Sequence, residues 1–143
     1  PLNEEDIYAY VKLKQKLDIP IMATEYPAGD IGTYAVWLTE RATDYLRGDI
    51  PNKGGLTTML KTAHLAEAFH MNYEVHHGGN SLNNMAQLHF ACSIRNRTFF
   101  EVLLPHGAHK YGLLNDITIG KDGGMIGPMV AAAAVIEAAV SAL

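Results

Sequence analysis

The fold is decided by residues 45–76, which read YLRGDIPNKGGLTTMLKTAHLAEAFHMNYEVH. A short, partly apolar run ends at Asp49, a glycine pair follows, and apolar residues then recur at helical spacing. A second run, residues 72–75, ends at His76. The stretch therefore predicts a strand, a helix and a second strand, with a titratable side chain at the end of each strand.

The same arrangement repeats along the chain. Four acid/base side chains close short apolar runs at intervals of 24, 27 and 25 residues: Glu25, Asp49, His76 and Glu101. The corresponding strands are predicted at 19–24, 45–48, 72–75 and 99–103. A (β/α)8 barrel uses about 30 residues for each strand–helix unit, and its chemistry lies at the C-terminal ends of the strands. We therefore expect an α/β fold with parallel strands and outer helices, in which the four side chains meet at one mouth.

The organisation changes after residue 105. Residues 116–119 and 125–126 flank an Asp-Gly turn and predict a β-hairpin, and the Ala-rich residues 130–143 predict a C-terminal helix. Four parallel strands are half of an eight-stranded barrel, with open edges. We expect residues 1–105 to be the second half of a (β/α)8-type barrel and residues 106–143 to be a hairpin and an apolar helix. The first half of the barrel would then lie upstream in the same protein.

Composition narrows the class of protein. The net charge is −4 and no basic run occurs among the 143 residues, which argues against nucleic acid or an anionic membrane as a partner. No apolar stretch has the length of a membrane span. The single cysteine, Cys92, excludes an internal disulfide and favours a reducing compartment, so we expect a cytoplasmic protein. Phosphate-binding glycine loops, zinc-type cysteine pairs and nucleophile elbows are missing from the sequence.

Glu25 is a candidate metal ligand because it follows a strand and precedes a loop. A carboxylate at that position suits a hard cation such as Mg²⁺, which takes oxygen ligands. One carboxylate cannot hold the ion alone, so the other ligands are expected upstream of residue 1. The alternative for Glu25 is a solvated loop acid.

Asp49 and His76 follow adjacent predicted strands, whose ends lie about 5 Å apart. An aspartate that fixes the imidazole tautomer makes histidine a general base near neutral pH. His77 competes for this role, but strand alternation is expected to turn it away from the mouth. Glu101 completes the arc, and as a protonated carboxyl it could donate a hydrogen bond to charge that develops on a substrate oxygen.

Several segments resemble the C-terminal barrel half of the enolase superfamily, mandelate racemase subgroup: Ile19-Pro-Ile-x-x-x-Glu25, Asp49 followed five residues later by Gly54-Gly55, His76, and Phe100-Glu101. The resemblance runs from Pro1 to about Gly124. It departs at Gly48, where proline is more usual and where glycine is expected to loosen the loop. It departs again in the Ala-rich tail.

This resemblance implies a role for each predicted side chain. Glu25 would be the third ligand of an essential Mg²⁺. Asp49 and His76 would form the dyad that moves a proton α to a carboxylate, and Glu101 would stabilise the enediolate intermediate. The other two metal ligands, a second acid/base group and an N-terminal capping domain would lie upstream.

The resemblance also implies a function, namely dehydration of a sugar acid by a magnesium-dependent carbon–oxygen lyase that forms homo-oligomers. A racemase, epimerase or cycloisomerase of the same superfamily is the alternative. The second alternative is a non-catalytic barrel fragment that lacks a complete metal site. We expect little activity from these residues alone.

Overall fold

The computed structural model describes residues 2–3, 5–25, 31–105, 107–122 and 125–126. Its helices are α1 (Ile7–Lys14), α2 (Ile31–Thr39), α3 (Leu56–Ala68) and α4 (Ser81–Ser93). Its strands are β1 (Met22–Ala23), β2 (Tyr45–Gly48), β3 (Asn72–Val75), β4 (Thr118–Ile119) and β5 (Met125–Ile126). Among these helices, none is both long enough and apolar enough to cross a membrane.

The first three strands form one parallel sheet in the order β1-β2-β3. Tyr45 on β2 pairs with Met22 on one side and with Asn72 on the other. Each strand therefore lies beside the next one in the chain, with a helix between them. That sequential order is typical of a (β/α)8 barrel, whereas a doubly wound sheet reverses its order at a switch point. The predicted parallel α/β architecture is confirmed.

The hydrophobic core lies between this sheet and the helices. Leu46 and Tyr73 are register partners on β2 and β3, and both are fully buried. Tyr73 packs edge-on against Phe90 of α4, with ring centroids 5.8 Å apart. Because side chains alternate along a strand, the next register pair, Arg47 and Glu74, points to the opposite face. The helices thus cover one face of the sheet, and charged side chains occupy the other.

The fourth predicted strand, 99–103, is wrong in extent. It is reduced to one parallel bridge between Val75 and Phe100. The buried carboxylate of Glu74 accepts hydrogen bonds from the backbone N–H of Thr98, at 2.9 and 3.1 Å, and of Phe99, at 3.4 Å. Those donors are therefore satisfied by a side chain instead of a strand ladder. The segment still lies parallel to β3 and in the expected order.

The predicted hairpin is confirmed, since β4 and β5 pair antiparallel, with Thr118 opposite Ile126. The predicted C-terminal helix, residues 130–143, lies outside the described residues. The division of the chain at residue 105 stays a prediction.

Candidate active site

The structure brings all four predicted side chains together at the C-terminal ends of the strands. Nδ1 of His76 lies 2.5 Å from Oε1 of Glu25 and 3.7 Å from Oδ2 of Asp49. Nε2 of the same ring lies 3.7 Å from Oε2 of Glu101. His76 is therefore at the centre of three carboxylates. The roles assigned to these residues stay predictions.

The contact between His76 and Glu25 is close but is not a hydrogen bond. Both Nδ1 and Oε1 are buried, and neither has a hydrogen-bond partner among the described residues. The other oxygen of Asp49, Oδ1, accepts hydrogen bonds from Asn83 and Gln87. The imidazole thus has a carboxylate near each ring nitrogen, and within the described residues it forms no hydrogen bond with any of the three.

Asp49 is oriented by helix α4. Its Oδ1 accepts hydrogen bonds from Nδ2 of Asn83, at 3.1 Å, and from Nε2 of Gln87. These two amides are four residues apart and lie on the same face of the helix. Their donors fix the carboxylate and leave Oδ2 directed at His76. The sequence did not lead us to predict either residue. The spacing of two amide side chains four residues apart, shortly before Phe90, could have indicated them.

Arg47 was also missed as a site residue, and it joins two of the predicted ones. Its Nε lies 3.3 Å from Oε2 of Glu25, and its Nη2 lies 3.1 Å from each oxygen of Glu101. The backbone N–H of His77 donates to Oε2 of Glu101 at 2.9 Å. Both oxygens of Glu101 are therefore acceptors here. Position 47 precedes Asp49 by two residues, and period-2 alternation could have placed it on the same face.

The backbone at Thr24 turns the chain directly before Glu25. Thr24 is fully buried and has φ 90°, an outlier for a β-branched residue. Its Oγ1 accepts the backbone N–H of Arg47 at 3.0 Å and donates to the carbonyl of Arg47 at 3.1 Å. The hydroxyl therefore links the end of β1 to β2 and fixes the turn that presents Glu25.

His77 contributes its backbone to the site, while its ring is buried and its Nδ1 has no hydrogen-bond partner in the part of the chain that the structure describes. Burial lowers the pKa of the His77 imidazole below its usual value, and the nearby charge of Glu101 opposes that change. A neutral ring is thus favoured at neutral pH. Within the described residues, no contact assigns a catalytic role to this ring.

Glu25 fits the expected role of a metal ligand. One potential ligand atom from each of Glu25, Asp49 and His76 lies within 4.8 Å of the other two. Glu25 is 8% exposed, and its Oε1 faces the cluster without a hydrogen-bond partner. A buried carboxylate oxygen of this kind suits Mg²⁺, which needs more oxygen ligands than Glu25 alone offers.

The comparisons with known proteins agree with this geometry. The family model described as Enolase C-terminal domain-like matches residues 1–130. The chain therefore belongs to the C-terminal domain family of the enolase superfamily, of the mandelate racemase/muconate lactonizing enzyme type. A comparison with curated proteins gives no match.

Several solved structures share the fold. D-glucarate dehydratase from Agrobacterium tumefaciens, complexed with magnesium, is 30% identical with a TM-score of 0.74, over 90% of this chain and 34% of that one. An enolase from Agrobacterium radiobacter, a candidate galactarate dehydratase bound to Na and L-malate, is 28% identical with a TM-score of 0.67, over 73% and 26%. The 3,6-anhydro-D-galactonate cycloisomerase from Zobellia galactanivorans is 24% identical with a TM-score of 0.62, over 72% and 30%, which shows the fold alone. The chain thus spans about a third or less of the length of these structures.

Proposed function

We propose that the full-length protein is a magnesium-dependent enzyme that removes the proton α to the carboxylate of a sugar acid and dehydrates the acid. The observation that carries this proposal is the position of His76 among three carboxylates at the ends of consecutive parallel strands. The similarity to a D-glucarate dehydratase complexed with magnesium supports both the substrate class and the metal.

In this proposal His76 is the general base. Asp49, held by Asn83 and Gln87, orients the imidazole and stabilises its protonated form. Glu25 would supply one metal ligand, and Mg²⁺, when bound, polarises the substrate carboxylate and stabilises charge that develops on it. Glu101 lies beside Nε2 of His76 and would contact the enediolate oxygen.

Dehydration needs an acid as well as a base. The proton that His76 removes from the α-carbon can be returned to the β-hydroxyl, which leaves as water, when both groups depart from the same side of the substrate. The resulting enol tautomerises to a 2-keto-3-deoxy acid. A racemase, epimerase or cycloisomerase would share the first step and differ in the second.

The test is α-proton exchange in heavy water with a panel of sugar acids. The full-length protein with Mg²⁺ is expected to incorporate deuterium at the α-carbon and to form a 2-keto-3-deoxy acid. Removing a general base costs on the order of 10²–10⁴ in rate, so His76→Asn is expected to lose exchange while keeping substrate binding. Asp49→Asn acts through the same base, so the two losses are expected to be non-additive.

His64→Asn is the matched control, because His64 is exposed on the outer helix α3. Exchange at the wild-type rate in His76→Asn would overturn the assignment of the base. Glu25→Gln keeps the shape of the side chain and removes its charge, so Mg²⁺ affinity and turnover are expected to fall together. An unchanged Mg²⁺ dependence would show that Glu25 is not a metal ligand. The solvated loop acid, the other expectation from the sequence, does not apply, because Glu25 is buried.

Further features of the whole protein belong to this proposal. We propose a cytoplasmic enzyme, because the single cysteine, Cys92, allows no internal disulfide and favours a reducing compartment. Its partners would be the sugar-acid substrate, the upstream barrel half and further copies of itself. Sedimentation of the full-length protein measures the last of these.

A further inference from the structure

Arg47 connects the proposed metal ligand to the proposed enediolate residue. Its guanidinium contacts Glu25 through Nε at 3.3 Å and both oxygens of Glu101 through Nη2 at 3.1 Å. The base of this side chain is fixed, because the Thr24 hydroxyl and the parallel ladder with β3 hold its backbone. We propose that Arg47 is a positioning residue that holds the carboxylates of Glu25 and Glu101 in place on opposite sides of the mouth. The contact between Arg47 and Glu25 would be lost when Mg²⁺ binds to Glu25. This inference rests on the proposed function of the site.

The mouth of the site carries several negative charges. Glu25, Asp49 and Glu101 all lie within 3.7 Å of the His76 ring. Carboxylates that share a partly buried site repel each other unless a cation lies between them. The Arg47 side chain is 20% exposed, and its guanidinium contacts two of them, Glu25 and Glu101. It therefore stabilises the arrangement of the mouth before a metal enters.

Arg47 would compete with a metal ion for Glu25. One oxygen of Glu25 contacts Arg47, while the other faces His76. A divalent cation on Glu25 would meet the positive guanidinium as a like charge, so the contact between Arg47 and Glu25 opposes metal binding. The two contacts with Glu101 do not involve that ligand and can persist. Arg47 is thus expected to weaken Mg²⁺ binding and to strengthen catalysis.

Replacing Arg47 in the full-length protein is therefore expected to raise Mg²⁺ affinity and to lower the catalytic rate, and both changes can be measured. In Arg47→Gln we expect the Mg²⁺ dissociation constant, measured by calorimetry with MgCl₂ alone, to fall on the order of fivefold. The unfolding temperature of the metal-free protein is expected to fall, because the carboxylates lose their counter-ion. With an active sugar acid, kcat is expected to fall on the order of tenfold to a hundredfold, more than KM changes, because Glu101 is misplaced.

Arg47→Lys separates charge from geometry. Lysine keeps the positive charge but lacks the planar fork that bridges two carboxylates. We expect Mg²⁺ affinity near that of the wild type and a loss of kcat close to that of Arg47→Gln. Arg95→Gln is the control, since Arg95 is exposed beyond α4 and the substitution makes the same change in charge.

The inference is overturned if Arg47→Gln binds Mg²⁺ no more tightly than Arg95→Gln, or if Arg47→Lys keeps the wild-type kcat. Should Arg47→Gln not fold, the kcat of Arg47→Lys decides. The calorimetry needs no substrate, so the outcome for Arg47 is separate from that of the proposed reaction. A wild-type protein that binds Mg²⁺ but exchanges no α-proton would refute the reaction and leave the role of Arg47 at the metal site intact.

Discussion

At the residue scale, Thr24 shows how a strained backbone serves the site. A residue held at an unfavourable φ costs on the order of 1–3 kcal/mol. Two hydrogen bonds between its hydroxyl and the backbone of Arg47 offset part of that cost. The strain lies directly before Glu25, where it sets the direction of the proposed metal ligand. An outlier at this position is consistent with a functional site.

His77 gives a prediction about pH at the same scale. Because burial lowers the pKa of its imidazole from 6.5, the unfolded chain takes up a proton as pH falls through that value while the folded chain does not. The unfolded state then binds more protons, so the free energy of unfolding falls with decreasing pH below about 6.5. Above that pH both states are neutral and His77 contributes no pH dependence.

The measurement is the urea midpoint of the full-length protein between pH 7.5 and pH 5.5. His77→Asn is expected to reduce the loss of stability on acidification, whereas the exposed control His64→Asn is expected to leave it unchanged. If both variants lose stability as steeply as the wild type, the His77 ring is not held neutral by burial.

At the scale of elements, Gly48 reverses an expectation from the sequence. We expected this glycine to loosen a loop, but it is the last residue of β2. A Cβ added there would lie 2.1 Å from the hydroxyl oxygen of Tyr73 on the neighbouring strand. Burial raises the pKa of the Tyr73 phenol well above its usual value, and Tyr34 adds to that effect, so the group stays neutral. Glycine is required here by the close approach of a tyrosine.

This contact predicts a coupling between the two strands. Gly48→Ala is expected to lower the free energy of unfolding by about 1–3 kcal/mol, the usual cost of overpacking. Tyr73→Phe removes the clashing oxygen, so in the Tyr73→Phe background the same alanine is expected to cost clearly less. Chemical denaturation of the two single variants and the double variant measures the coupling energy. Additive losses would show that the strain at Gly48 has another source.

The fold was predictable from sequence where local pattern and tertiary pairing agree. The bounds of β2 and β3 follow from short runs ended by Asp49 and His76, and the observed strands match them. The fourth strand was not predictable, because a buried carboxylate on β3, Glu74, takes the N–H groups of Thr98 and Phe99. The strand pattern of one segment does not show that a side chain from another segment will bind its backbone N–H groups.

The candidate site was also predictable only in part. The strand-end rule selected four residues that the structure brings together, because parallel strands end at one edge. It did not find the donors that hold those residues. Asn83 and Gln87 on helix α4 donate hydrogen bonds to Asp49. Arg47 lies within β2, before the strand ends, and donates to Glu25. Spacing can mark these side chains as candidates, but a single sequence does not fix their partners. Those partners depend on how helix α4 packs for Asn83 and Gln87, and on how far the Arg47 side chain reaches across the neighbouring strand ends.

At the scale of the whole molecule, the sheet is incomplete within the described residues. The strand β1 pairs with β2 on one side, and no strand of the described ranges pairs with its other edge. This chain covers 34% of the solved D-glucarate dehydratase. Glu25 offers one carboxylate where Mg²⁺ needs several oxygen ligands. We propose that the upstream barrel half supplies both the missing strand partners and the missing ligands.

That proposal predicts how a polypeptide of residues 1–143 alone should behave. Its open strand edge and uncovered inner face favour self-association, and its Mg²⁺ affinity should be far weaker than that of the full-length protein. We expect no α-proton exchange from it under conditions in which the full-length protein is active. Sedimentation, calorimetry with MgCl₂ and exchange in heavy water measure the three properties. Adding the separately produced upstream half should restore exchange with wild-type residues 1–143 but not with the His76→Asn variant, because His76 supplies the base. A monomeric 1–143 polypeptide that unfolds cooperatively and turns over a sugar acid by itself would contradict the proposal, since one carboxylate and an open sheet would then suffice for the reaction.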